Sequence, residues 1–334
     1  MWFLFAVICM LAWGGADLFY KISSDSDDRY SHLRIAVWVG IVMGVFAFAL
    51  IPFSESGIGV LNIGNLVKYS PASLSYIISM VIGYAGMRYL EISIVSPVQN
   101  ASGALSAIVM TLWFALPAEN RAQAISDETG FTFGHAEGTA LLNNILIIGG
   151  ILAICIGVAA LAVVEQRLSA AETELAPSER KYRLGALALL FPFLYCIFDT
   201  AGTAADGIIL NEDTGLGLGE IDVIILYGIT FLLAGIVCWF VLLFREKKPY
   251  NPLRDIKTKG VAALFEEGGQ LFYVYAMAAR PVLAAPMIAS YCIVSMILSR
   301  IFIKEKLKAS QYACVFAVAL GIVALGISEG LGEM

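Results

Sequence analysis

Two aspartates in apolar surroundings each follow an aromatic residue by four positions. Trp13 precedes Asp17, and Tyr195 precedes Asp199. Residues four apart lie on one face of a helix, so each ring would stand beside a carboxylate. A ring face and a buried negative charge both attract an organic ammonium group. The structural alternative is that both aspartates are solvated at an interface or paired with a neighbour such as Lys21.

A second acidic group consists of Glu266 and Glu267, inside an apolar run from Gly260 to Ala279. At 1.5 Å per residue, they lie about 10 Å along the helix axis from the start of that run. Adjacent helical residues point about 100° apart, so at most one of them faces a given cavity squarely. Burial without a partner costs a carboxylate several kcal/mol, so at least one should be protonated, paired or hydrated. The alternative is that the helix begins later and both lie at the surface.

Amides and tyrosines in apolar segments are further candidates to line a cavity. Gln99 and Asn100 follow Pro97, which frees a backbone carbonyl. Gln270 extends the polar patch beyond the glutamates, and the intervening Gly268-Gly269 pair is expected to loosen the helix. Four tyrosines in such segments are candidates to add rings to the cavity: Tyr84, Tyr273, Tyr275 and Tyr291. Taken singly, each of these side chains is also consistent with packing between helices.

The elements that would position these residues are ten apolar stretches, each near the 20 or so residues that cross a bilayer as a helix. The residues are 59% hydrophobic and 14% charged, against about 25% charged in an average soluble domain. The predicted spans are 2–20, 33–52, 71–90, 93–116, 143–164, 185–204, 222–244, 261–279, 282–302 and 309–327. The sequence therefore predicts an all-α, multi-pass protein of the cell membrane, in which the six cysteines pack inside spans.

The two halves of the chain show weak matches that keep their order. Trp13 and Asp17 align with Tyr195 and Asp199. Further along, the matches pair Tyr84 with Tyr273, Pro97 with Pro286, Ser106 with Ser295 and Gly157 with Gly321. Since five is odd, two successive five-helix units cross in opposite directions, which is the inverted-repeat plan of many secondary transporters.

This pattern predicts ten transmembrane helices as two inverted five-helix repeats. The first repeat is 1–164, the second is 185–334, and a charged linker at 165–184 joins them. The alternative is a single ten-helix bundle with chance matches.

The basic residues predict the orientation of the chain. All but Lys68, Arg121 and Arg280 of the 21 Lys and Arg residues fall on the side that carries the loops after spans 1, 3, 5, 7 and 9. By the positive-inside rule that side is cytoplasmic, and both termini lie outside. The long connections at 117–142 and 205–221 are then external loops, and the second of these would contain Asp206.

The end of the chain carries a family resemblance. The segment from Arg280 to Gly326 has a proline early in one helix, then Glu305-x-Leu307 in a short loop, then a helix that contains glycine. It resembles the end of an EamA-type domain, and Ala12-Trp-Gly-Gly through Lys21 resembles that family's first helix. The chain thus resembles the EamA branch of the drug/metabolite transporter superfamily. The resemblance implies ten helices in two inverted repeats and the transport of small metabolites.

Two features depart from the family pattern. The first half lacks the short Glu-x-Leu loop, and Leu116 stands where Glu305 would align. Family members are also often drawn with cytoplasmic termini, whereas the basic residues here predict external ones. The resemblance does not identify a substrate, because the family transports amino acids, nucleotide precursors, ammonium compounds and other metabolites.

Together these features predict a secondary transporter that works by alternating access. Its energy is expected to come from an ion gradient, of protons or Na+, or from the substrate's own gradient. Four acids lie within or at the edge of the spans with few basic residues opposing them, which favours an amine, an ammonium compound or an amino acid. The predicted substrate contacts are Trp13, Asp17, Tyr84, Gln99, Asn100, Tyr195, Asp199, Gln270, Tyr273 and Tyr291. The predicted coupling residues are Glu266 and Glu267, with Glu267 taken first.

The remaining predictions concern partners and competing functions. We expect a small-molecule substrate and the lipid bilayer as partners, as a monomer or homodimer, with no cofactor, metal, catalytic residue or nucleic acid. The alternatives are a channel, for which no repeated pore residues are visible, and an intramembrane enzyme with a buried carboxylate site. An aspartyl dyad is disfavoured, because the inverted repeats would carry Asp17 and Asp199 towards opposite faces of the membrane.

Overall fold

The computed structural model describes residues 1–23, 30–86, 99–134, 136–175, 190–211, 218–246, 249–302, 304 and 308–332. These residues form helices and connections, and no strand occurs among them. The helices are α1 (Trp2–Ser23), α2 (Ser31–Leu50), α3 (Ile63–Gly86), α4 (Ser102–Ala115), α5 (Arg121–Thr129), α6 (Thr139–Leu175), α7 (Leu190–Leu210), α8 (Glu220–Glu246), α9 (Val261–Ala279), α10 (Pro281–Ala289), α11 (Tyr291–Phe302) and α12 (Ala309–Gly332). The all-α prediction is confirmed for this part of the chain.

Seven helical stretches in the described residues are long and apolar enough to cross a bilayer. They comprise α1, α2, the first part of α6, α7, α8, α12, and α10 with α11 taken together. Three of the ten predicted spans do not reach that standard: α4 has 14 residues, α3 carries many serines and tyrosines, and α9 carries Glu266 and Glu267. The count of ten therefore stays a prediction.

The helices make their main contacts in five pairs. α2 contacts α8, α4 contacts α10, and α6 contacts α12. α1 packs on α9, and α3 packs on α7. At the α2–α8 contact a Cβ on Gly40 would lie 3.0 Å from the Cα of Gly235, so the lack of side chains lets the two backbones approach closely.

The predicted loop at 117–142 contains a helix that the sequence analysis missed. α5 begins after Asn120, whose side chain accepts a hydrogen bond from the backbone N–H of Gln123 at 3.2 Å. It ends at Gly130, whose φ of 72° is easily adopted by glycine. An asparagine and a glycine in these positions are helix boundary signals, so the prediction of a plain connector was incomplete. α6 also continues to Leu175, into the predicted linker, and residues 176–184 lie outside the described part.

Two helices differ from their predicted continuity. The span predicted at 282–302 is broken at Ser290, between α10 and α11. Pro286 lies inside α10 and has no backbone N–H to donate to the preceding turn, which weakens the helix just before the break. In contrast, α9 is continuous through Gly268-Gly269, so this pair does not interrupt the helix.

Candidate functional site

A cavity lies between α1, α3, α4, α7, α8, α9 and the α10–α11 break, and together with its open mouth it holds about 820 Å³ of space not filled by atoms. Nine of the ten predicted substrate residues line it: Trp13, Asp17, Tyr84, Gln99, Asn100, Tyr195, Asp199, Tyr273 and Tyr291. Gln270 does not line the cavity; it is buried, and its Nε2 has no hydrogen-bond partner among the described residues.

The α1 wall holds its aspartate with a serine from another helix. Asp17 is 6% exposed and accepts a hydrogen bond from the hydroxyl of Ser295 on α11. One turn earlier, the Trp13 ring stacks on Tyr273 with a centroid distance of 5.2 Å. A Cβ on Gly269 would come within 2.2 Å of the Trp13 ring, so glycine makes room for the indole against α9.

The α7 wall repeats this arrangement. Asp199 is half-buried and accepts a hydrogen bond from the hydroxyl of Ser102 on α4 at 2.6 Å. One turn earlier, the Tyr195 ring lies against Gly83 of α3, where a Cβ would come within 2.7 Å of the ring. Each wall therefore combines an aspartate, a cross-helix serine, and an aromatic ring seated on a glycine.

Three further tyrosines complete an aromatic wall that the sequence analysis did not identify. Tyr20, Tyr76 and Tyr227 all line the cavity. Tyr20 stands 5.1 Å from Tyr84 between ring centroids, and Tyr227 stands 5.7 Å from Tyr76. Tyr20 follows Asp17 by three residues and was accessible to a helical-face argument, whereas Tyr227 lies in a span whose one charged residue, Asp222, stands at its end. Tyr275, a weaker candidate, packs on Phe5 instead of lining the cavity.

The two adjacent glutamates occupy different environments. Glu266 lines the cavity, and its backbone carbonyl accepts a hydrogen bond from the Trp13 indole N–H at 3.1 Å. Glu267 is 1% exposed and is not among the lining residues. Neighbouring helical residues point about 100° apart, so the two side chains face different surroundings. Which of them faces the cavity depends on how α9 packs against α1.

Asp206 is a site residue that the sequence analysis misplaced in an external loop. α7 continues to Leu210, beyond the predicted end at 204, and Asp206 is completely buried within it. The polar composition of the following loop concealed the helix end. Asp199, Thr203 and Asp206 follow one helical face at i, i+4 and i+7, and this spacing was the available signal.

The cavity wall is acidic. Asp17, Asp199 and Glu266 line it, and none of the described lining residues is a lysine or arginine. Arg280 stands at the start of α10, where its guanidinium donates to the backbone carbonyl of Asp127. Arg88 lies outside the described residues. Within the described part of the chain, no group of three His, Cys, Asp or Glu side chains is arranged to hold a metal ion.

Comparisons with known proteins agree with this architecture. Residues 214–327 match the EamA-like transporter family, which confirms the resemblance drawn from the segment Arg280 to Gly326. The match does not reach Ala12 to Lys21, so the resemblance of that segment stays a prediction. A solved structure described only as "Crystal structure of protein" is 10% identical, covers 97% of this chain and 96% of its own, and superposes with a TM-score of 0.59. At that identity the likeness concerns the fold alone. No curated protein matches the chain.

Proposed function

We propose that this protein, an integral multi-pass membrane protein of the EamA-like transporter family within the drug/metabolite transporter superfamily, moves a small organic cation or zwitterion by alternating access. The observation that carries the proposal is a cavity with three carboxylates and an aromatic wall, without a basic residue among its described lining. Carboxylates and ring faces both attract an ammonium group, and they act strongly in a site of low dielectric. The substrate class is therefore an amine, an ammonium compound or an amino acid.

The helix packing supports the two-repeat architecture that alternating access uses. If predicted spans 1–5 correspond to spans 6–10, then α2–α8, α4–α10 and α6–α12 are contacts between counterparts. Under the same correspondence α1 maps to α7 and α3 maps to α9, so the counterpart of the α1–α9 contact is the α3–α7 contact. Ten spans in two inverted repeats account for this reciprocity, and the shared cavity lies at their interface, as in many secondary transporters.

The orientation belongs to the same proposal. Ile58, in the connection between α2 and α3, is 78% exposed, and Leu253, between α8 and α9, is 70% exposed. With external termini, a cysteine at Ile58 reacts with an impermeant thiol reagent in intact cells, and one at Leu253 reacts only after lysis. The reverse pattern would overturn the orientation and leave the cavity unchanged.

A ligand series tests the substrate class. Purified protein is screened by thermal shift against pairs of equal size that differ in charge, such as a quaternary ammonium compound and its neutral carbon analogue. Ligands that bind the native state raise apparent stability by mass action. The ammonium member should stabilise the protein, whereas stabilisation by organic dianions would contradict the proposal.

Aspartate variants locate the binding site. Asp17→Asn and Asp199→Asn should each weaken ammonium binding by about 2–5 kcal/mol, the range for removing one member of a buried charge pair. Asp222→Asn is the matched control, because Asp222 also accepts a serine hydrogen bond, from Ser54 at 2.6 Å, but lies away from the cavity. Equal losses in all three variants would indicate a general structural effect.

A further inference from the structure

A fourth carboxylate stands behind the cavity wall. Asp206 is completely buried and lies one turn beyond Thr203, which lines the cavity. Neither oxygen of the Asp206 carboxylate has a hydrogen-bond partner among the described residues. An ionised carboxylate is strongly disfavoured in such surroundings, so this position requires a compensating cation or proton.

Tyrosine hydroxyl groups are the polar neighbours of Asp206. They come from Tyr69 and Tyr76 on α3 and from Tyr273 on α9. The Tyr76 hydroxyl donates to Thr203 Oγ1 at 3.1 Å and is also hydrogen-bonded to the Tyr273 hydroxyl. Because Tyr76 has a single O–H, Tyr273 is the donor in the bond between them. The hydroxyl protons of Tyr76 and Tyr273 are thus both donated within the chain of hydroxyls, and neither is donated to Asp206.

The hydroxyl chain connects Asp206 to the cavity. Tyr76, Thr203 and Tyr273 all line the cavity, whereas Asp206 does not, so one layer of hydroxyl groups separates the carboxyl from the substrate space. The same layer links three helices, since Tyr76 belongs to α3, Thr203 to α7 and Tyr273 to α9. A change at Asp206 is therefore positioned to alter contacts between these helices.

The remaining surroundings offer no cationic partner. α8 contributes Tyr227, and Asp199, which lies on α7 with Asp206, adds a like charge. α4 and α10 present Met110 and Pro281 against the neighbouring Gly207. None of the described groups that interact electrostatically with Asp206 is a lysine, arginine or histidine. A bound proton neutralises the Asp206 carboxylate without the about five or six oxygen ligands that a metal cation requires.

We infer that Asp206 is a proton-binding site, distinct from the ammonium site, whose proton keeps the Tyr76–Tyr273 hydroxyl pair closed. The protonated carboxyl can donate to a tyrosine oxygen and leaves the pair intact. When the proton passes through the hydroxyl layer to water in the cavity, the carboxylate accepts the O–H of Tyr273, which breaks the bond from Tyr273 to Tyr76. This loosens α3 and α9 against α7. The inference rests on the proposed transport function, to which it adds a proton-controlled switch.

Infrared spectroscopy of the purified full chain near neutral pH tests the inference, with the proton itself as the probe. Wild type should show a protonated-carboxyl band from Asp206, sensitive to deuterium exchange, that is lost in Asp206→Asn. Asp222→Asn is the control and should retain it. Tyr69→Phe should shift the band without removing it, because it deletes one hydroxyl neighbour and leaves the carboxyl; this variant provides a second reading if Asp206→Asn folds poorly.

Two results would overturn the inference. One is a carboxyl spectrum that is the same in wild type, Asp206→Asn and Tyr69→Phe. The other is stabilisation by Na+ that is present in wild type and absent in Asp206→Asn, which would assign the site to a metal cation. The spectra are recorded without substrate, so failure here is distinguishable from failure of the ammonium-binding proposal, which the charge series tests separately.

Discussion

The α1 and α7 walls of the cavity are built alike at their aspartates and differently around them. Each wall presents an aspartate held by a serine from another helix, Ser295 for Asp17 and Ser102 for Asp199. Beside the α1 wall, the second carboxylate is Glu266, which belongs to α9 and lines the cavity. The α7 wall carries its second carboxylate on the same helix and behind a layer of tyrosine hydroxyls.

In the proposed function, this difference separates substrate binding from coupling. The shared aspartates suit recognition of a cationic group from both sides, since both face the same cavity. Glu266 and Asp206 have no counterpart in the other wall and suit coupling. Each can gain or lose a proton without changing the serine contacts of Asp17 and Asp199.

The largest expected effect concerns coupling on the α1 side. Glu266→Gln should abolish uphill transport in vesicles carrying a proton gradient, while retaining exchange of labelled substrate, because it removes the titratable group from the cavity and preserves its shape. Glu267→Gln is the matched control, since its side chain does not line the cavity. If Glu267→Gln alone abolished uphill transport, the assignment of the coupling group to the cavity wall would be wrong.

A smaller effect is expected at the glycine that seats the α1 aromatic ring. Gly269→Ala should destabilise the protein by about 1–3 kcal/mol, because the new Cβ would meet the Trp13 ring at 2.2 Å. Gly268→Ala, one residue earlier, faces open space and should be neutral or stabilising by up to about 1 kcal/mol. Thermal unfolding of both variants in the same detergent measures the difference, and equal stabilities would refute the seating argument.

The smallest effects should come from the rings themselves. Trp13→Leu and Tyr195→Leu should each weaken binding of an ammonium ligand by about 0.5–2 kcal/mol, the range for a cation beside a ring face. Binding of a neutral analogue should change less. A loss in only one of the two variants would mean that the two walls do not share the work of recognition.

Much of this site was accessible to sequence reasoning because polar residues are rare in apolar spans. That rarity singled out Trp13, Asp17, Tyr195 and Asp199, which the structure brings to one cavity. Family resemblance and apolar periodicity likewise predicted a helical membrane protein.

What the sequence did not reveal depends on packing between helices. The facing of Glu266 rather than Glu267 is set by α9 lying against α1, and a single sequence contains no such information. Tyr227 joins the cavity only because α8 packs against α3. Asp206 was hidden for a different reason, since a helix end followed by a polar loop has no sharp boundary in hydropathy.

The most direct test of the central claim is a structure of the protein with a bromine-labelled organic ammonium ligand, located by anomalous scattering. The account predicts the cationic group in the cavity, within reach of Asp17 or Asp199 and against the Trp13 or Tyr195 ring. Loss of that signal in the Asp17→Asn, Asp199→Asn double variant would agree with the prediction. An anomalous peak outside this cavity in wild type, or unchanged occupancy in the double variant, would contradict it.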